Sequence, residues 1–113
     1  MSDHAAQVSI GWTTAPSREI AEQIAHTLVG SGLVACGQIT GPVTSIYRWQ
    51  GELQQEEEFR LILKFSAQRE AEVRAALQIA HPYDVPQWVV THADTGHEAY
   101  MTWVHDSARE DRP

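Results

Sequence analysis

Leu33-Val34-Ala35-Cys36-Gly37-Gln38-Ile39 is a short, nearly continuous apolar run set directly behind an amphipathic helical pattern. A run this short, with Gly30 and Gly32 before it and Gly41-Pro42 after it, reads as a strand. In the helix before it, Ile20, Ile24 and Leu28 recur every four residues, and Ala21, Ala25 and Val29 widen the stripe. Pro16 and Ser17 open that helix, with Ser17 the N-cap, because its hydroxyl can accept from a first-turn amide. Gly30 and Gly32 stop it, since glycine takes the left-handed cap conformation without strain. The same junction occurs once more: Val73, Ala76, Leu77 and Ala80 stripe a helix over 66–80, and Pro82 ends it. His81-Pro82-Tyr83-Asp84-Val85-Pro86 then leads into a strand over 88–91.

The remaining segments complete the pattern. Val8, Ile10 and Trp12 alternate with Ser9, Gly11 and Thr13, a strand with one buried face. Gly41-Pro42 reads as a bulge or kink, after which Val43 to Trp49 resumes in extended form. Gln50-Gly51 is a turn, and Phe59, Leu61, Leu63 and Phe65 alternate with Arg60, Ile62 and Lys64 on the returning strand. Glu56, Glu57 and Glu58 fall near the distal end of this long hairpin. A last helix runs over 96–108, with Tyr100, Trp103 and Val104 on one side. The order β-α-β-β-α-β plus a terminal helix predicts an α+β, ferredoxin-like sheet with its two helices on one face. The chain is expected to form one domain over 1–113, with 1–6 and 109–113 flexible. The other sheet face is left uncovered. With four tryptophans and three tyrosines in 113 residues, a second copy of the chain is the simplest cover for it.

Composition removes several function classes. Fifteen acidic residues against eight basic ones give a net charge of -7, with no basic cluster, so nucleic acid is not an expected partner. No stretch approaches the roughly 18 apolar residues of a membrane span, so no membrane association is expected. The single cysteine forbids an internal disulfide and fits a reducing, cytoplasmic setting.

Taken in register, the pieces resemble the CutA divalent-cation tolerance family. They are Thr14-Ala15-Pro16, Leu33-Val34-Ala35-Cys36, Ser45-Ile46-Tyr47-Arg48-Trp49-Gln50-Gly51, Glu58, Leu63-Lys64, His81-Pro82-Tyr83 with Pro86, and Tyr100 with Trp103. The resemblance covers about Val8 to Val104. It implies a homotrimer of ferredoxin-like subunits, similar in architecture to PII signalling proteins, with long hairpins reaching onto neighbours. It further implies a role in tolerance to divalent metals, copper above all, with no catalytic reaction securely attached. The chain departs from the family pattern at Gln87, where the family often carries Glu, at His92, where proline is common, and at Phe65, where threonine usually follows the lysine.

The chemistry-bearing residues admit two readings each. Cys36 can bind copper or another divalent transition metal as a thiolate, or can be a small buried hydrophobe. His81 can be a second metal ligand through neutral imidazole, or can cap its helix against the dipole. Tyr83 is held by Pro82, and its phenol can bond a ligand or a backbone carbonyl. Glu58 and Lys64 are evenly spaced on one strand, so they share a face. With Trp49, Tyr83, Tyr100 and Trp103 they form the expected ligand or interface cleft. His92 is a possible replacement ligand, and any metal is expected to be weakly held. No Gly-rich phosphate loop, Ser-His-Asp order, paired catalytic carboxylates or C-x-x-C occurs. No enzymatic activity is therefore expected, although a site can assemble across subunits. The reading is a homotrimeric metal-responsive binding protein. The alternatives are a PII-like small-molecule sensor and a trimeric adaptor.

Overall fold

The computed structural model describes residues 7–107. The flexible ends expected at 1–6 and 109–113 lie outside the described residues. The elements are β1 (Val8–Ala15), α1 (Arg18–Gly30), β2 (Cys36–Trp49), β3 (Glu52–Ser66), α2 (Glu70–Ala80), β4 (Val89–His92) and α3 (Glu98–Ser107). The four strands make one antiparallel sheet in the order β2-β3-β1-β4.

Local chemistry sets each boundary. Ser17 caps α1, its hydroxyl accepting from the Ile20 amide at 3.1 Å. At the other end, the Leu33 amide donates to the Leu28 carbonyl at 3.1 Å and the Gly32 amide to Val29 at 3.0 Å. Gly32 has φ 81°, so this is a Schellman cap. The cap spends the backbone of Leu33 and Val34, and β2 accordingly begins at Cys36 rather than at Leu33. At the second junction Ser66 does not cap a helix. Its hydroxyl bonds Nδ1 of His105 at 3.1 Å, and a 3-10 turn at Ala67–Arg69 precedes α2. On α2 itself Glu70 and Arg74 form an i,i+4 ion pair at 3.5 Å.

Phe59, Leu61, Leu63 and Phe65 on β3 are the core side of the sheet. Leu61, Leu63 and Phe65 pack with Ile24, Leu28, Val34, Val73 and Leu77 from α1, α2 and the turn between α1 and β2. Each such fully buried side chain contributes roughly 1.5–3 kcal/mol. The opposite face carries Ile10, Trp12 and Thr14 of β1, Cys36 and Gln38 of β2, and Glu58, Ile62 and Lys64 of β3, as the strand register requires. That face is not wholly bare. α3 covers its end near Ser66 and Lys64 and buries Val104 completely.

β3 begins at Glu52, seven residues before the alternating Phe59 segment. Glu56, Glu57 and Glu58 are thus at the root of the hairpin, not near its distal end. The polar stretch from Glu52 hides its strand character because its side chains as far as Glu57 are largely exposed. The last β1–β3 pair is Ala15 with Phe59, whereas β2 and β3 continue pairing to Trp49 with Glu52. Beyond Phe59 the two strands form a free-standing arm about 20 Å long. It closes through Gln50 (φ 51°) and Gly51 (φ 82°). The expected irregularity at Gly41-Pro42 is a register shift between Thr40 and Val43, with one extra residue on β2.

Candidate functional site

The loop from His81 to Gln87 starts from a fixed point. His81 occupies the C-cap position of α2, but its ring does not serve the helix dipole. Its Nε2 lies 2.7 Å from the Thr14 carbonyl oxygen, and Nδ1 lies 3.1 Å from the Tyr83 amide. A carbonyl only accepts and an amide only donates, so Nε2 carries the proton and Nδ1 is the acceptor. Both nitrogens are committed and the side chain is only 6% exposed. The loop is thereby pinned across the end of β1, and Tyr83 is carried to the root of the arm.

There the Tyr83 phenol donates to Oε2 of Glu58 at 3.4 Å. A second pair sits two residues further out, where the Tyr47 phenol donates to Oε1 of Glu56 at 2.8 Å. Glu56 and Glu58 share one face of β3, and Tyr47 shares that face from β2. Between the arm and the loop lies a cleft of about 760 Å³, lined by these four residues together with Trp49 and Gln87, among others. Burial, followed by the charges of Glu58 and Glu56, pushes the Tyr83 phenol up to about 12. Its bond to Glu56, ahead of burial and charge, raises Tyr47 as well. Both phenols are therefore neutral donors that orient carboxylates at neutral pH.

The other expected residues gather elsewhere. Lys64 is six residues along β3 from Glu58, about 20 Å away. Its Nζ donates to the Tyr100 hydroxyl at 3.3 Å and lies 5.5 Å from that ring's centre. The Tyr100 hydroxyl is 3.9 Å from Sγ of Cys36, and its ring stands 5.7 Å from that of Trp103. Trp49, Glu58 and Tyr83 thus belong to the cleft, while Cys36, Lys64, Tyr100 and Trp103 form a separate cluster under α3.

This division bears on copper. Cys36 pairs with Lys64, which pairs with Ile10, whereas His81 binds the carbonyl of Thr14. Four residues of strand, about 13 Å, separate those positions. With both its nitrogens engaged, His81 does not fit a shared copper site with Cys36 in one chain. His92 does not replace it. Its Nδ1 bonds Ser9 Oγ at 2.8 Å, and it pairs with Ser9 on the face opposite Cys36. Among the described residues no group of three or more His, Cys, Asp or Glu is placed to hold a metal ion.

Tyr47 and Glu56 were not singled out from sequence as cleft residues. The signal was present in the two-residue spacing of Glu56 and Glu58. Glu58 was assigned to a strand face with Lys64, and Glu56 joins that face only once β3 extends back to Glu52.

Comparison with known proteins gives a consistent result. A family model described as CutA1 divalent ion tolerance protein matches residues 9–107. A divalent-cation tolerance protein CutA of Thermus thermophilus is 36% identical over 94 residues, covering 83% of this chain and 91% of that protein. The crystal structure of CutA1 from Oryza sativa superposes with a TM-score of 0.90 at 26% identity, covering 95% of this chain and 98% of that one. A structure described as the periplasmic divalent cation tolerance protein CutA from Archaeoglobus fulgidus gives 0.86 at 30% identity, covering 90% and 99%.

Proposed function

The chain belongs to the CutA1 divalent ion tolerance family, and from that premise we propose that it acts in divalent-cation tolerance as a homotrimeric binding protein. The observation that carries the assembly is the apolar surface left by one chain. On the projecting arm Leu53 is 76% exposed, Ile46 63% and Trp49 51%. Trp12 and Ile62 stand on the sheet face that α1 and α2 leave open. Patches of this kind mark interaction sites, and closed symmetry satisfies them with copies of one chain. The subunit is read as ferredoxin-like and the trimer as PII-like, with each arm laid on a neighbour. Sedimentation equilibrium at micromolar concentration tests this. A mass three times the 12.6 kDa chain is expected, and a monomer overturns the reading.

Copper binding is proposed in a reduced form. Cys36 is the one thiol of the chain, and thiolates suit copper better than they suit magnesium or calcium. His81 is left out of the proposed ligand set because both its ring nitrogens are hydrogen-bonded. The expected affinity is weak, and Cys36→Ala removes the calorimetric copper response. No catalytic role is assigned. No helix among the described residues is long and apolar enough to cross a membrane. A cytoplasmic setting is proposed from the unpaired thiol; cell fractionation decides between it and the periplasm.

The cleft at the root of the arm favours a second reading, that of a small-molecule sensor. It is a concavity built around specific polar groups, Glu56 and Glu58 with the phenols of Tyr47 and Tyr83.

A further inference from the structure

We propose that His81 is a proton-operated latch: its neutral ring seats the loop over 81–87 on the end of β1, and protonation of that ring releases the loop. The latch is independent of metal binding and of assembly, since every residue involved comes from one chain.

The loop has few other ties. Among the described residues no backbone-to-backbone hydrogen bond involves residues 82–87. Pro82 and Pro86 have no amide hydrogen to give. Three contacts hold the segment. The Tyr83 amide donates to His81 Nδ1 at 3.1 Å, the Gln78 side chain to the Asp84 carbonyl at 3.2 Å, and the Tyr83 phenol to Glu58 at 3.4 Å. The Gln78 bond is exposed, and the phenol bond is long. The imidazole contact is the one anchored on its far side, through Nε2 to the Thr14 carbonyl at 2.7 Å. The backbone of His81 stays with its helix, since its amide donates to the Leu77 carbonyl at 2.9 Å. The part free to move is the loop beyond it.

The chemistry of the ring sets the switch. Nδ1 receives an amide N–H, which can only donate. A second proton on the ring can go only to Nδ1, where it meets that N–H head-on, and the bond is lost. The other described histidines that bond through Nδ1 lack this exclusivity. Nδ1 of His92 and of His105 face the hydroxyls of Ser9 and Ser66, at 2.8 and 3.1 Å. A hydroxyl can turn and accept from a protonated ring. His97 does take an amide, that of Tyr100 at 3.4 Å, but the contact is long and exposed. His81 joins an amide donor to a ring in a residue only 6% exposed.

The surroundings do not oppose a charged ring. The Tyr83 ring lies 4.8 Å from the imidazole, Glu58 accepts from that phenol, and Asp84 follows on the loop. β1 meets the ring through the uncharged Thr14, and α2 offers the uncharged Gln78 to the loop. At the start of α1, Arg18 is engaged with the Phe59 ring and the Gly41 carbonyl. The charges on the loop side are therefore carboxylates, which attract an imidazolium.

Amide hydrogen exchange and ring nitrogen NMR of the full chain, from about pH 7.5 to about pH 5, test the proposal. An imidazole free in water takes its second proton near about pH 6.5. Because only the released loop admits that proton, the opening equilibrium should rise about thirtyfold across this range. Tyr83 exchange, relative to the intrinsic rate at each pH, should rise by that factor, while the Leu63 amide in the central strand β3 keeps its protection. The parent ring should hold its single proton on Nε2 at the upper end of the range. In His81→Gln, whose amide donates and accepts without titrating, Tyr83 exchange should not respond to pH. Tyr83→Phe removes the bond to Glu58 and should keep the response, which separates the ring from the carboxylate as its source. Unchanged Tyr83 protection throughout overturns the proposal, as does a response retained in His81→Gln or lost in Tyr83→Phe. Equal loss of protection at Tyr83 and Leu63 shows acid unfolding of the whole chain and overturns it too. Should His81→Gln not fold, the parent decides: protonation of the His81 ring and release of Tyr83 must share one midpoint, and separate midpoints refute the latch.

Discussion

The imidazole of His81 donates through Nε2 to the Thr14 carbonyl at 2.7 Å, and this contact ties the end of α2 to the end of β1. The same ring accepts from the Tyr83 amide, so one side chain satisfies two part-buried backbone groups. Truncation leaves the Tyr83 amide without its side-chain acceptor and the Thr14 carbonyl with only the 3.5 Å contact from Thr13 Oγ1, and an unmet group costs about 1–3 kcal/mol. His81→Ala should therefore lower the denaturation free energy by about 2 kcal/mol or more in urea titration. Copper titration of the same variant should match the parent. A large loss of copper binding with stability intact would return His81 to the ligand set.

The indole of Trp88 makes a second dependency between elements. It stacks on Phe65 at 6.0 Å and donates to Glu70 Oε2 at 2.9 Å. It thereby lies over the backbone of Gly11, where a Cβ would come within 2.3 Å of the ring. Held by two partners, the ring cannot step aside freely. Gly11→Ala should destabilise by about 1–3 kcal/mol, the usual cost of overpacking. Thermal unfolding of this variant beside Gly30→Ala isolates the effect, because nothing lies within 4 Å of a Cβ at Gly30.

The helices were legible because each has one buried stripe and a local stop. Ile20, Ile24 and Leu28 carry the period of α1, and Ser17 and Gly32 mark its ends. β3 was legible only where it meets the core. From Phe59 to Phe65 burial on one face imposes alternation, while from Glu52 to Glu57 the side chains of the arm are largely exposed and the alternation vanishes. The cleft inherits that gap, since Glu56 and Tyr47 become neighbours only through pairing within the arm. Cys36 and His81 were grouped because both follow helices. The register separates them, since one junction feeds the edge strand β2 and the other is tied to the far end of β1.

Assembly should depend unequally on Trp49 and Trp12. Trp49 ends β2 on the arm and its indole makes no hydrogen bond among the described residues, whereas Trp12 donates to Thr91 Oγ1 at 3.1 Å within the sheet. Buried tryptophans at the centre of an interface commonly cost about 2 kcal/mol or more when truncated. Trp49→Ala should raise the trimer dissociation constant by about that amount, and Trp12→Ala by less. Equal constants in sedimentation equilibrium would place the arm outside the interface.

The phenol of Tyr83 gives a pH signature. Its value is raised from 10.0 to about 12, chiefly by burial and then by Glu58 and Glu56. Below pH 10 the phenol is protonated in both the folded and the unfolded chain, and its stabilising contribution is fully present. Between pH 10 and about 12 the unfolded chain releases the proton while the folded one retains it. Stability therefore falls with rising pH across that window. The bond donated to Glu58 goes with the proton, and the resulting phenolate faces two carboxylates. Alkaline titration followed by phenolate absorbance should show a late-ionising tyrosine that Tyr83→Phe removes. The variant should also lose part of the decline in stability above pH 10. A parent whose tyrosines all ionise together near 10 would show that the cleft neither buries this phenol nor holds its proton.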